Sequence, residues 1–199
     1  MRFASSLHKI IHKLVNYSVI LGGVVLLAIV VLTSVSVAGR EINGFAHWDM
    51  IKENMPFLSQ WIIDSGIASF NGDYEILEAG IAFTIFAFLP ICQFYGGHAT
   101  VDIFTSKLPT KYQRLLIGFW EFILAAIIIT ITWQLFKGLV TKFNNQETTF
   151  MLRFPVWWAY GASFIAAFVS SLVAVYCVVA RVMEIITNNN ILPKQEEAH

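Results

Sequence analysis

An all-α integral membrane protein with four transmembrane helices is the fold class this sequence predicts, and three observations carry it. Charge is scarce: 13% of the 199 residues are charged, against roughly 25% in soluble domains. The hydrophobic share is 57% and the mean hydropathy is +0.66. Four apolar runs approach or exceed the about 20 residues that a helix needs to cross a bilayer core. Lys and Arg are also spread unevenly around those runs. The formal net charge is zero, so no basic surface argues for nucleic acid. The implied environment is a phospholipid bilayer.

The first run, Leu14 to Ala38, contains no Asp, Glu, Lys or Arg. Lys9 and Lys13 precede it and Ser36-Val37-Ala38 resembles a signal-peptide cleavage site. Signal cores run only about 7–15 residues, so the run reads as a retained helix over 14–38. Before it, Phe3, Leu7, Ile10, Ile11 and Leu14 alternate with Arg2, Ser5, Lys9, His12 and Lys13. That pattern predicts a basic amphipathic helix on the membrane surface, running into the first span.

The segment 39–74 reads as an outer loop. Its stretch 41–75 is acidic, with Glu41, Asp49, Glu53, Asp64, Asp73 and Glu75 against Lys52. Pro56 followed by Phe57, Leu58, Trp61 and Ile62 gives a second surface-lying amphipathic helix, and Trp48 and Trp61 suit the aromatic belt of a bilayer.

The second span covers 75–96. Pro90 inside it predicts a kink, and Gly96-Gly97 predicts its end, because glycine reaches the left-handed conformation cheaply. Glu75 and Glu78 open it. They suit the positive end of a helix dipole, and one of them is placed to pair with Arg40. The third span, 113–137, is apolar around one acid, Glu121. An ionisable residue there normally faces protein or water, so Glu121 is expected to reach the interface or to meet a base on another chain. Gln93, Thr132 and Gln134 are the polar groups expected to hydrogen-bond between helices. The fourth span, 154–181, begins with Trp157 and Trp158 after Pro155. Residues 1–187 thus form one four-helix membrane domain and 188–199 a polar tail.

With four spans, both termini and the 96–114 connection share one side. That side holds eight of the thirteen Lys and Arg residues, which predicts cytoplasmic termini. Within the connection, Val101, Ile103, Phe104 and Leu108 alternate with Asp102, Ser106 and Lys107, the pattern of a short interfacial helix.

Catalytic chemistry finds no foothold. There is no nucleophile with a matching base, no zinc spacing and no phosphate loop, so no enzyme and no cofactor is expected. Cys92 and Cys177 sit in apolar runs as thiols rather than a disulfide. His98 and Asp102 are too few for a metal site. The alternative class, a haem- or quinone-associated four-helix anchor, needs histidines inside the bundle. His8, His12, His47, His98 and His199 all fall outside the spans or at their ends.

One stretch is more specific. Gly97-His98-x-x-Val101-Asp102 followed by Leu108-Pro109 resembles the signature of the small membrane subunit of tripartite ATP-independent periplasmic (TRAP) transporters, the Q or DctQ-like component. Arg40 after the first span, "GDYEILE" at 72–78 and "FLPICQ" at 88–93 resemble the family's motifs in order. The resemblance marks Arg40, Asp73, Glu75, Glu78, Pro90, Gln93, Gly97, His98, Val101, Asp102 and Pro109 as family positions. Phe104, Leu108, Glu121, Trp48 and Trp61 are candidates for partner or lipid contact.

It implies a location in the bacterial inner membrane, a large M subunit that binds substrate and sodium, and a periplasmic binding protein P. It also implies sodium-driven uptake of organic acids such as dicarboxylates or sialic acids. The small subunit's implied role is to scaffold M and help dock P. The long stretch 41–71 and Ala99-Thr100 depart from the family pattern.

Overall fold

The structure, a computed structural model, describes residues 2–48, 53, 55–64, 70–96 and 110–187. The named helices among these are α1 (Arg2–Ala46), α2 (Pro56–Asp64), α3 (Asp73–Tyr95), α4 (Thr110–Asn145) and α5 (Val156–Thr187). Four of them are long and apolar enough to cross a membrane, and all but the short α2 belong to that set. The fold is all-α, as expected, with a single antiparallel bridge among the described residues, between Thr148 and Pro155 in the turn joining α4 to α5.

The long helices stand side by side in the order α1–α3–α5–α4. α5 lies between α3 and α4 and is the most buried of them. Apart from Val173 and Glu184, its buried positions are small: Ser163, Ala166, Ala167, Ser170, Ala174, Cys177 and Ala180. Small side chains let backbones approach closely, which is how helices gain contact where no hydrophobic effect drives them together. α1 lies on α3 in the same way. A Cβ on Gly22 would come within 2.9 Å of the Ala87 Cβ, and one on Gly80 would collide with Ile29. The outward surfaces carry Leu27, Val31, Ile85, Phe168 and many other large apolar side chains.

α1 runs unbroken for 45 residues, about 68 Å at 1.5 Å per residue. The expected surface helix and the first span are therefore one rod. Its inward face also differs from the apolar stripe expected there. His8, Ile11, His12 and Val15 turn toward the neighbouring helices while Ile10 is 60% exposed. The histidines take this face because each finds both a ring and a hydroxyl. His8 packs against Phe94 at a tilt and His12 edge-on, with centroids 5.5 and 5.8 Å apart. His8 Nδ1 shares a hydrogen bond with the Tyr176 hydroxyl at 2.7 Å, and His12 Nε2 with the Tyr95 hydroxyl at 3.3 Å.

α3 contains Pro90, fully buried. Proline lacks the N–H that would bond the carbonyl four residues earlier. That carbonyl, on Phe86, instead accepts the Ser170 hydroxyl of α5 at 2.8 Å. The helix ends at Gly96, which is left-handed at φ 63° and donates its N–H to Cys92 and Gln93 carbonyls. The two cysteines are free thiols.

Beyond the first span, α1 continues to Ala46, and α2 folds back onto it. The Ser59 hydroxyl donates to the Ala46 carbonyl at 2.8 Å and Ile62 is buried. The interfacial helix expected around 97–109 lies outside the described residues.

Candidate functional site

The family positions that the structure describes gather at the two ends of the helix row. At the end where α1 finishes and α3 begins, the run Gly72-Asp73-Tyr74-Glu75 joins three segments. Asp73 reaches α1: its carboxylate accepts the Ser36 hydroxyl at 2.5 Å and lies 3.6 Å from the Arg40 guanidinium. The same Ser36 oxygen accepts the Phe70 N–H at 3.3 Å. Glu75 reaches the opposite way, into the turn between α4 and α5, and accepts the backbone N–H groups of Met151 at 2.6 Å and Leu152 at 2.9 Å. Gly72 sits between, left-handed at φ 96°, and a Cβ there would meet Leu152 Cγ at 2.6 Å.

Glu75 and Glu78 were the candidates for pairing with Arg40, and the structure corrects this: Asp73 is the partner. Glu75 is occupied by two backbone amides, and Glu78 is exposed.

The turn that Glu75 holds has its own internal ties. Thr149 N–H donates to the Phe154 carbonyl and Val156 N–H to the Glu147 carbonyl, both at 3.0 Å. Glu147 accepts Lys142 Nζ at 2.5 Å and Asn145 Nδ2 at 3.0 Å. The Lys142 hydrogen bond holds the Glu147 carboxyl below its ordinary range.

At the other end, α3, α4 and α5 meet through a buried polar cluster. Gln93 is fully buried and donates its amide N–H to Glu121 at 2.5 Å. Glu121 is 5% exposed, and its second oxygen lies 3.9 Å from Arg181 Nε. Arg181 donates to Glu184 at 2.9 Å, and Glu184 is also buried. The Cys177 thiol points at the Gln93 carbonyl at 3.7 Å. Isolated charge in such a place is expensive, so carboxylates and guanidinium must be paired and hydrogen-bonded to be tolerated.

Glu121 therefore finds its base within its own chain, on α5. Nor is it alone as a buried acid in the helix row, because α5 continues past 181 and buries Glu184. Arg181 was one of the charges counted for orientation, and its pairing was missed. A signal for it existed: the chain folded back at the turn between Asn145 and Val156 sets Glu121 opposite Ala180, beside Arg181.

Midway between the ends, Thr132 donates to the Ala167 carbonyl at 3.2 Å and shares a hydrogen bond with Ser171 at 2.8 Å, tying α4 to α5. Trp48 and Trp61 are exposed at 55% and 60%. Gly97, His98, Val101, Asp102, Phe104, Leu108 and Pro109 lie outside the described residues. Among the described residues, no three His, Cys, Asp or Glu side chains come together as a metal site.

Comparison with curated proteins and with solved structures returns no match. Residues 29–184 match the family described as "Tripartite ATP-independent periplasmic transporters, DctQ component". The matched segment takes in the later part of α1, all of α3 and α4, most of α5 and both polar clusters. The protein is thus a multi-pass membrane component of a transporter rather than an enzyme, and the chain belongs to the DctQ component family of tripartite ATP-independent periplasmic transporters.

Proposed function

We propose that this chain is the small membrane subunit of a sodium-driven transporter that takes up organic acids across the bacterial inner membrane. In this reading it scaffolds the large M subunit and helps the periplasmic binding protein P to dock. Both termini face the cytoplasm, and the Arg40–Asp73 end faces the periplasm.

The observation that carries the reading is how the polar groups of the helix row are used. Asp73, Glu75, Gln93, Glu121, Arg181 and Thr132 each bond to another segment of the same chain. Groups spent on holding helices together suit a rigid support. Transporters that carry substrate themselves use broken helices near the bilayer centre. α3, the helix with Pro90, has the freed carbonyl satisfied by Ser170 and remains continuous from Asp73 to Tyr95. The family positions at 72–75 and 93 act here through position, since each fixes one helix against another segment.

The test is reconstitution in vesicles. Sodium-dependent uptake of an organic acid should require this chain, M and P together. Uptake by this chain alone, or full uptake by M and P without it, would defeat the proposal. The orientation is tested separately by cysteine labels, which should react from the periplasm at 41–71 and not at 105–111.

A further inference from the structure

We propose that the free face of α4 around Gln134 and Lys137 is where a transmembrane helix of the large partner subunit docks, with a hydrogen-bonding or acidic side chain at that depth. The inference rests on the reading above and names the surface that reading leaves open.

Of the three polar residues expected to link helices, Gln93 and Thr132 find partners inside the chain. Gln134 does not. Its amide is exposed and makes no hydrogen bond among the described residues. α4 stands at the end of the row, so this face has no neighbouring helix among the described residues.

The depth of Gln134 follows from the cross-links. Thr132 is level with Ala167 and Ser171 on α5, and Ser170 is level with Phe86 on α3. Phe86 lies 13 residues from Asp73 and nine from Tyr95, so it is about 20 Å below the Asp73 end at 1.5 Å per residue. Gln134, two residues closer to that end, is about 16 Å below it. A hydrocarbon core is about 30 Å thick. Gln134 is therefore well inside.

At comparable depths the outward residues of the other helices are apolar: Leu27 on α1, Ile85 on α3, and Ile165, Phe168 and Leu172 on α5. Among the described residues, only α4 presents an amide there. Lys137, one turn nearer the loop end and on the same face, stands over the Trp133 ring at 5.7 Å. Thr130, on that face too, spends its hydroxyl on the Ala126 carbonyl at 2.8 Å. Lipid tails offer no partner to an amide, and intramembrane polar groups of this kind are found against protein or water. An adjacent ammonium adds a preference for an acceptor or an acid on the facing helix.

The experiment places a photo-crosslinking amino acid at Ile127, Thr130 or Ile131 on α4, and separately at Leu27 on α1 or Phe168 on α5, in membranes containing the whole transporter. Adducts with the large subunit should form from α4 and not from α1 or α5. In detergent, Gln134→Leu should lower the large subunit recovered with this chain about fivefold, as for the loss of one interhelical hydrogen bond. Gln134→Asn should restore part of it. Adducts from α1 or α5 alone, adducts with a second copy of this chain, or only lipid adducts at α4 would overturn the proposal. If the large subunit fails to co-purify with the unaltered chain, the assignment as small subunit falls, and this surface with it. If it co-purifies but crosslinks elsewhere, only the surface is wrong.

Discussion

The two ends of the helix row hold their helices together by opposite means. At the loop end, Asp73 and Glu75 are carboxylates near the surface, and they spend themselves on hydroxyl and backbone N–H donors. Arg40 is 61% exposed beside Asp73, and exposed ion pairs contribute little. At the other end, Gln93, Glu121, Arg181 and Glu184 are withdrawn from solvent and answer mainly to one another. Removing one member of a buried set leaves its partner charged and unpaired. The loop end is a clasp whose parts give way one at a time, whereas the buried end depends on being complete.

Substitutions rank accordingly. The largest effect belongs to Arg181→Met, which takes the guanidinium away from the buried carboxylates of Glu121 and Glu184. A loss of about 3–5 kcal/mol is expected, as for other broken buried pairs. Thermal unfolding of the purified subunit should show a large drop in Tm. Adding Glu121→Gln to that background should recover part of the loss, because the amide keeps a hydrogen bond with Gln93 while shedding the charge. A melting curve unchanged by Arg181→Met would erase the contrast between the ends.

Gly72→Ala comes next. It forces a side chain into the left-handed region, a strain of about 1–3 kcal/mol, and drives a Cβ into Leu152. Hydrogen exchange should quicken in residues 146–155 and leave the middle of α5 unaffected. Uniform loosening along α5 would show that the loop end is not an independent clasp.

Glu75→Gln should produce the same local signature more weakly. A neutral side chain can still accept one of the two N–H bonds from Met151 and Leu152, without charge assistance. Unchanged exchange at 151 and 152 would contradict those contacts. Smallest of all is Arg40→Gln, for which Tm should stay at the wild-type value. A clear drop would mean that the Arg40–Asp73 pair is stronger than its exposure implies.

What was legible in advance follows the same division. Hydropathy located the four long helices, because each needs a long apolar run whatever its neighbours are. Gly96 announced the end of α3 through its backbone freedom. The acids of "GDYEILE" were visible as the opening of α3, but their partners were not. Ser36, Met151 and Leu152 come from distant segments, and two of them contribute only backbone N–H groups, which leave no mark in side-chain chemistry. Glu121 was visible as an anomaly. Arg181 was in plain view as well, yet a charge near the end of a span reads first as a marker of orientation. The inward turn of His12 was hidden because its polar ring was sorted with lysine, and His8 had no place in the expected stripe, while Phe94 and Tyr176 make that face a good place for them.

The central claim is that the buried cluster works by holding α3, α4 and α5 in place and carries no ion or proton for transport. Replacing Glu121, Arg181 and Glu184 together with Met tests it most directly, since apolar residues of similar size often substitute well for a complete buried ionic set, whereas removing only part of it leaves a buried charge. The triply altered chain should fold, retain the large subunit and support sodium-dependent uptake close to the unaltered rate in reconstituted vesicles. An intact complex that has lost uptake would contradict the claim and return Glu121, Arg181 and Glu184 to the transport pathway.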